Sequence, residues 1–143
     1  MNKDALMDGD LIAPCGLYCG ECESFQDRRC SGCISRIGLC LKYSKICKIY
    51  ECCVSERKLR LCNECKAFPC IRFHKFFDSS EWYNEVVGNL KRIGTFGVER
   101  VLKEQVRRVT ALIECAEDRK IKHCSRCKDW PCKKLERPPL VPA

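Results

Sequence analysis

The sequence has few of the features that usually build a core or direct a chain to a membrane. Its 143 residues include only six Phe and two Trp, so large apolar side chains are scarce for a core of this size. No window approaches the roughly 18 apolar residues that a membrane-spanning helix needs. Residues 1–10 carry neither the apolar run nor the small-residue cleavage site of a signal peptide. We therefore expect a cytoplasmic protein that does not contact a membrane.

Common signatures of catalysis are also missing. We recognise no glycine-rich phosphate-binding loop and no serine–histidine–acid arrangement. The spacing Cys15-x3-Cys19-x2-Cys22 occurs in radical S-adenosylmethionine enzymes, which resemble one another in needing most of a (β/α) barrel around the cluster. This chain is too short for such a barrel and lacks alternating strand and helix patterns. We therefore expect a protein that is not an enzyme.

Cysteine is the residue that the sequence has in excess, with 16 among 143 residues, far above the ordinary share. Disulfides are the first explanation, but a cytosolic chain keeps its thiols reduced. The repeated Cys-x2-Cys pairs have the spacing with which two thiolates hold one metal ion on a tight turn. We predict four-thiolate zinc sites, about four ions in all. Iron–sulfur clusters use the same ligands and are the alternative cofactor.

The net charge of +8 would by itself suggest nucleic acid or an anionic membrane as a partner. That count treats every cysteine as neutral. Sixteen thiolates would contribute sixteen negative charges and four divalent ions would return eight positive ones, which leaves no net charge. We therefore expect the basic residues to balance anionic metal–thiolate sites, which weakens the prediction of a nucleic-acid partner.

An internal repeat organises the second half of the chain. Residues 53–73 and 115–135 both have the pattern Cys-x8-Cys-x2-Cys-x4-Cys without a gap, and basic, aromatic and proline residues occupy matching positions. In each copy the proline precedes the last cysteine and favours the first turn of a helix. Each copy is predicted to supply four ligands by itself: Cys53, Cys62, Cys65 and Cys70 in the first, and Cys115, Cys124, Cys127 and Cys132 in the second.

The N-terminal part holds the other eight cysteines in a looser arrangement. They are sufficient for two more four-thiolate sites, and ligands interleaved between the two sites would fit the spacing as well as consecutive ones. One example of a partition is Cys19, Cys22, Cys30 and Cys33 in one site, with Cys15, Cys40, Cys47 and Cys52 in the other.

Two residues near the first copy have alternative roles. Cys52 is adjacent to Cys53, and the repeat spacing selects Cys53 for the site with Cys62, so Cys52 either serves another site or is a free, buried thiol. His74 completes the spacing Cys-x2-Cys-x4-Cys-x3-His, which is close to a nucleic-acid-binding zinc knuckle. The second copy has Glu136 at that position, so we favour an ordinary helix residue over a ligand for His74.

A helical hairpin is predicted between the two copies. Residues 78–81 form a capping-box-like start, apolar residues then recur at helical spacing, and Gly94 is the predicted stop. A second helix is predicted from about residue 95 to residue 117. The expected fold is mainly α with irregular metal-bound loops and a few short hairpin strands, in which zinc-finger-like small modules flank the hairpin.

These patterns divide the chain into five parts. They are a cysteine-rich N-terminal metal module (residues 12–52), the first four-cysteine module (53–77), the helical hairpin (78–117), the second four-cysteine module (115–136) and a loose, proline-rich tail (137–143).

The motif Ile12-Ala-Pro-Cys15-Gly-Leu-Tyr-Cys19-Gly-Glu-Cys22 resembles domain-of-unknown-function family 3795, as do the later pair Cys30-Ser-Gly-Cys33 and the segment Cys62-Asn-Glu-Cys65-Lys-Ala-Phe-Pro-Cys70. The resemblance covers roughly residues 12–132 and implies a short, cysteine-rich, zinc-binding protein, without naming a reaction. The second copy is less typical of the family. The positions that match its motif cysteines are Cys15, Cys19, Cys22, Cys30, Cys33, Cys62, Cys65 and Cys70.

We therefore expect a structural zinc-binding protein that serves as an interaction module. Its four-thiolate sites are closed and leave no ligand position open to a substrate. A protein is the expected partner, and nucleic acid is the less supported one. The alternative is an iron–sulfur protein that transfers electrons or assists an enzyme.

Overall fold

The computed structural model of the protein describes residues 3–40, 44–78 and 80–129, and within these ranges the chain is mainly helical. The predicted helical class is confirmed, whereas Cys132 and the tail of residues 137–143 lie outside the described residues. Short helices α1 (Glu23–Gln26), α2 (Lys48–Tyr50) and α3 (Ile71–Phe76) precede the long helices α4 (Ser80–Phe96) and α5 (Val98–Asp118). Strands β1 (Leu39–Cys40) and β2 (Lys45–Ile46) form an antiparallel pair. Single 3-10 turns cover Lys3–Met7, Gly9–Leu11, Cys19–Glu21, Cys62–Glu64 and Cys124–Arg126, and a π-helical turn covers Glu51–Glu56.

Gly97, and not Gly94, separates the two long helices. Helix α4 continues through Gly94 to Phe96, and the Gly97 N–H donates to the Ile93 carbonyl at 2.8 Å. Gly97 then adopts φ 88° and ψ 158°, a combination that essentially only glycine tolerates. The predicted helix end at Gly94 was therefore wrong, because a glycine can remain helical and the break falls where the backbone needs a positive φ.

The core forms where the N-terminal segments and α3 cover the pair of long helices. Val86 and Leu90 of α4 and Val101 and Val109 of α5 are almost completely buried, together with Phe73 of α3. The N-terminal 3-10 turns add three more buried side chains to the same cluster, Leu6, Leu11 and Ile12. No described helix combines the length and the apolar character needed to cross a membrane. The long helices therefore form the platform on which the cysteine-bearing loops lie.

Alanine at the two glycines should change stability in opposite directions. Gly97→Ala places a Cβ on a backbone with φ 88°, although nothing lies within 4 Å of that position. We expect strain alone to lower the free energy of unfolding by about 1–3 kcal/mol. Gly94→Ala, the matched control inside α4, should raise it by about 0.5–1 kcal/mol. Urea unfolding of both variants under one metal condition measures the difference, and a shared sign would contradict the helix boundary.

Candidate metal centres

Three Cys-x2-Cys pairs have the same type of backbone turn. Cys19, Cys62 and Cys124 each begin a 3-10 turn after an extended residue. In each pair the second cysteine donates its N–H to the carbonyl of the first, at 3.0, 3.0 and 2.9 Å. A turn of this kind lets two thiolates reach one ion. The tight turn that the spacing predicts is therefore present at three of the four Cys-x2-Cys pairs, whereas Cys30 and Cys33, which also lie within the described residues, form no 3-10 turn.

Four cysteine side chains from separate segments interact electrostatically in the N-terminal part. We call the group the N-terminal sulfur cluster; its members are Cys15, Cys19, Cys33 and Cys47. Cys33 is hydrogen-bonded to Cys19, and the charges of Cys15 and Cys47 also act on it. Cys15 in turn interacts with Cys47 and Cys19. Four sulfurs are the number of donors that a tetrahedral thiolate site needs, although these four do not converge closely enough to hold an ion in the structure.

Protons are distributed unevenly within this cluster. The hydrogen bond from Cys33 lowers the pKa of Cys19 to about 7, whereas the same bond raises the pKa of Cys33. Burial raises the pKa of Cys15 to about 12. One thiolate thus lies beside thiols that desolvation and like charge keep protonated. A cation among them would offset the free-energy cost of ionising the buried thiols, because an opposite charge favours the thiolate form.

The motif Cys15-Gly-Leu-Tyr-Cys19 is anchored on α4. Gly16 has a φ of 93°, and a Cβ at this position would lie 2.9 Å from Leu90 Cγ. Only glycine therefore allows the loop to approach the helix this closely. The Asn89 side chain donates to the Gly16 carbonyl at 3.0 Å. The helix thus fixes the loop that presents two members of the cluster.

An ion pair ties the Cys19 turn to α5. Arg108 donates two hydrogen bonds to the Glu21 carboxylate, at 3.1 and 2.7 Å, and a third to Gln105 at 3.1 Å. The Arg108 side chain is 8% exposed and that of Glu21 is 28% exposed. Sequence analysis missed this pair, because 87 positions separate its members and no local pattern joins them.

The other cysteines near the cluster line a small cavity beside it. Cys22, Cys30 and Cys40 surround this cavity together with Cys19 and Cys33. Neighbouring sulfurs therefore come from interleaved stretches of the chain. The first set of the example partition, Cys19, Cys22, Cys30 and Cys33, lines this one cavity. Cys15 and Cys47 also act on Cys33, and Cys52 lies elsewhere, beside two arginines. The pairing of the N-terminal ligands therefore stays a prediction.

In the first repeat copy, several cysteines interact with Cys62. Its hydrogen bond with Cys53 lowers the pKa of Cys53 and raises that of Cys62. The charges of Cys15 and Cys52 also act on Cys62. The Cys62 backbone N–H donates to the Pro14 carbonyl at 2.9 Å. This bond brings the first copy against the loop that carries the N-terminal sulfur cluster.

Arginine side chains lie beside the sulfurs of the first copy. Arg57 is hydrogen-bonded to Cys52, and the charges of Cys65 and Cys70 also act on it. Arg72, the second residue of α3, donates to Cys52 at 3.6 Å. Three cysteines of this region therefore share one cationic neighbour, Arg57.

The second copy has a similar arrangement over its described residues. Arg119, which matches Arg57 in the repeat, donates to Cys127 at 3.3 Å and interacts with the charge of Cys115. Cys124 begins the same 3-10 turn as its counterpart in the first copy. The predicted ligand Cys132 lies outside the described residues. The matching of the arginines was visible in the sequence, but nothing there indicated that they contact sulfur.

Both histidines have partners other than sulfur. The His74 ring packs edge-on against Tyr83, with 4.9 Å between the ring centroids. The Nε2 atom of the buried His123 lies 3.1 Å from a carboxylate oxygen of Asp27. Because Asp27 directly follows α1 and His123 directly precedes Cys124, this contact joins the second copy to the N-terminal part.

Within the part of the chain that the structure describes, no three Cys, His, Asp or Glu side chains already converge closely enough to hold a metal ion. Hydrogen-bonded sulfur pairs do occur at Cys19 with Cys33 and at Cys53 with Cys62. With Zn–S bonds of about 2.3 Å, the sulfurs of one tetrahedral zinc are about 3.8 Å apart. In the N-terminal part, the sulfurs of Cys19 and Cys33 thus interact directly before any ion binds.

Removing the charge of Glu21 should loosen the Cys19 turn. Glu21→Gln leaves Arg108 buried without its full counter-charge, so we expect the free energy of unfolding to fall by about 2–4 kcal/mol. The exposed pair of Glu99 and Lys103, whose side chains are 81% and 58% exposed, supplies the control: Glu99→Gln should cost less than about 0.5 kcal/mol. Denaturant unfolding compares the two, and equal effects would exclude an anchoring role for the buried pair.

Comparison with known proteins identifies the family of the chain. A family model described as "protein of unknown function (DUF3795)" matches residues 11–75 and 91–137. The matched ranges include the Cys15–Cys19 motif and the cysteines of both repeat copies. No curated protein and no solved structure matches the chain. Since the matched residues make up more than half of the sequence, the chain belongs to the DUF3795 family of proteins of unknown function.

Proposed function

We propose that this protein binds zinc through sets of cysteine thiolates that hold its loops in place, and that the loops form an interaction module for another protein. The observation that carries the proposal is the gathering of cysteines in the N-terminal part, where Cys15, Cys19, Cys33 and Cys47 interact electrostatically and five cysteines line one small cavity. Four sulfurs without another type of donor are the ligand set of a structural zinc site.

The electrostatics of the cluster support a bound cation. Cys15 is 7% exposed, and burial disfavours its thiolate. Each further thiolate would repel the others in this low-dielectric surrounding. A divalent ion reverses the balance, because a coordinating thiol loses its proton outright. Cys19, whose pKa is about 7, supplies the first thiolate at neutral pH without any ion.

Zinc fits this donor set better than an iron–sulfur cluster does in a chain with few large apolar residues. Structural zinc contributes folding free energy directly, which small domains need when their core is thin. Cys15, Cys19, Cys33 and Cys47 would hold one ion. The cysteines of the two repeat copies and those around the neighbouring cavity would hold the others, about four ions in all.

The interaction role follows from the closure of the sites. A zinc ion with four protein ligands has no position left for a substrate, so the surface of the loops carries the function. Ile37 and Ile71 are 71% and 69% exposed, and they lie beside Cys40 and Cys70 in the cysteine loops. Such side chains provide apolar contact area for a protein partner. Nucleic acid is the other candidate, and binding that weakens steeply with salt would identify it.

Metal analysis of the full-length chain purified without oxygen tests the zinc proposal. We expect about four zinc ions per chain, and Cys19→Ser should lose about one ion together with thermal stability. Ser24→Ala, which alters another residue at the edge of the same cavity, is the control and should keep the full zinc content. Iron, sulfide and absorbance near about 400 nm would instead establish the iron–sulfur alternative. A chain that melts identically after metal removal would contradict a structural role.

A further inference from the structure

The two repeat copies differ in the helical turn that precedes their matched arginines. In the second copy the Arg119 N–H donates to the carbonyl of Cys115 at 3.1 Å, which is the ordinary α-helical bond to the residue four positions earlier. In the first copy the Arg57 N–H donates to Cys52, five positions earlier, also at 3.1 Å. This longer loop belongs to the π-helical turn Glu51–Glu56. The first copy therefore contains one more residue in this turn.

The extra residue changes which cysteines correspond. When the two copies are aligned by their backbone hydrogen bonds, Cys52 corresponds to Cys115 and Cys53 corresponds to Ala116. The next backbone hydrogen bond supports this alignment. The Leu59 N–H donates to the Cys53 carbonyl at 2.8 Å, and the matching Ile121 N–H donates to the Ala116 carbonyl at 3.0 Å. Downstream of the bulge the copies agree again, since Lys58 and Lys120 both have a φ of 57°.

Burial follows the same register. Cys53 is 2% exposed and Ala116 is 5% exposed, whereas Cys52 and Cys115 are both partly exposed. Alanine cannot bind a metal, so the second copy is built without a ligand at the buried position. The first copy has a sulfur there, but the shared architecture does not require one.

The arginine contacts agree with this correspondence. Arg57 is hydrogen-bonded to Cys52 and interacts with the charges of Cys65 and Cys70. The charge of Cys115 acts on Arg119, which also donates a hydrogen bond to Cys127, the match of Cys65. In both copies the arginine thus borders the partly exposed cysteine of the helical turn together with a cysteine from the following Cys-x2-Cys turn.

We infer that Cys52, and not Cys53, is the ligand that the helical turn contributes to the first repeat site, which then consists of Cys52, Cys62, Cys65 and Cys70. The inference rests on the proposed zinc function and replaces the assignment by sequence spacing, which selects Cys53. A gap-free sequence alignment cannot detect an extra residue that the backbone accommodates as a π-helical bulge.

Cys53 then acts as a buried thiol behind the site. It contacts Cys62, and its sulfur also donates to the Leu59 carbonyl at 3.7 Å.

Adjacent substitutions in the full-length chain test the assignment, with zinc per chain measured by elemental analysis. Cys53→Ala installs the residue that the second copy has at the matching position, and we expect it to keep the zinc content of the unchanged chain. Cys52→Ser should lose about one ion per chain. The reverse result, or loss of an ion from both variants, would overturn the assignment, while zinc in the unchanged chain would still support the proposed function. An unchanged chain without zinc would remove both.

A second substitution guards against a variant that does not fold. Cys52→His replaces one type of zinc ligand with another, so it should retain the ion but release it to a chromogenic chelator faster than Cys53→Ala does. Release from Cys53→Ala at the faster rate would contradict the assignment, whatever the behaviour of the serine variant.

Discussion

The cysteine loops depend on one constraint, which is that sulfurs from distant segments must stay close together inside a small volume. Regular secondary structure contributes little to this, since β1 and β2 pair over two residues each and the Cys-x2-Cys turns are single 3-10 turns. Burial alone opposes it, because desolvated thiolates repel one another. The loops therefore need both an external scaffold and a charge that compensates the sulfurs.

The pair of long helices is that scaffold. The loop at Gly16 lies against Leu90 and accepts a hydrogen bond from Asn89, and the next turn is tied to α5 through Glu21 and Arg108. The prediction treated the hairpin as an insert that separates two modules. In the structure it also carries the N-terminal loops, because its buried face packs into one core with Leu6, Leu11 and Ile12. Disturbing either helix should therefore affect sulfur sites that are far away in sequence.

Features set by local patterns were predictable from the sequence, and features set by tertiary contacts or backbone bulges were not. Apolar residues at helical spacing located α4 and α5, and the Cys-x2-Cys spacing indicated the turns. The break at Gly97 was missed because Gly94 precedes it and both residues fit a helix end. The spacing fitted consecutive and interleaved ligand sets equally well, so the interaction of Cys15 and Cys47 with Cys33 could not be singled out, since it depends on how separate loops meet. The correspondence of Cys52 with Cys115 could not be predicted, because the cysteine spacing does not indicate a π-helical turn.

The positions of the arginines show how part of the chain's positive charge is used. Arg57 and Arg72 contact Cys52, and Arg119 contacts Cys127. These cations are next to individual sulfurs, where a zinc ion with four thiolates would carry two negative charges in excess. Hydrogen bonds from guanidinium groups stabilise such anionic sites and favour the thiolate ligands. Part of the positive charge is thus already directed at the protein's own sulfurs, so the net charge alone is a weak argument for a nucleic-acid partner.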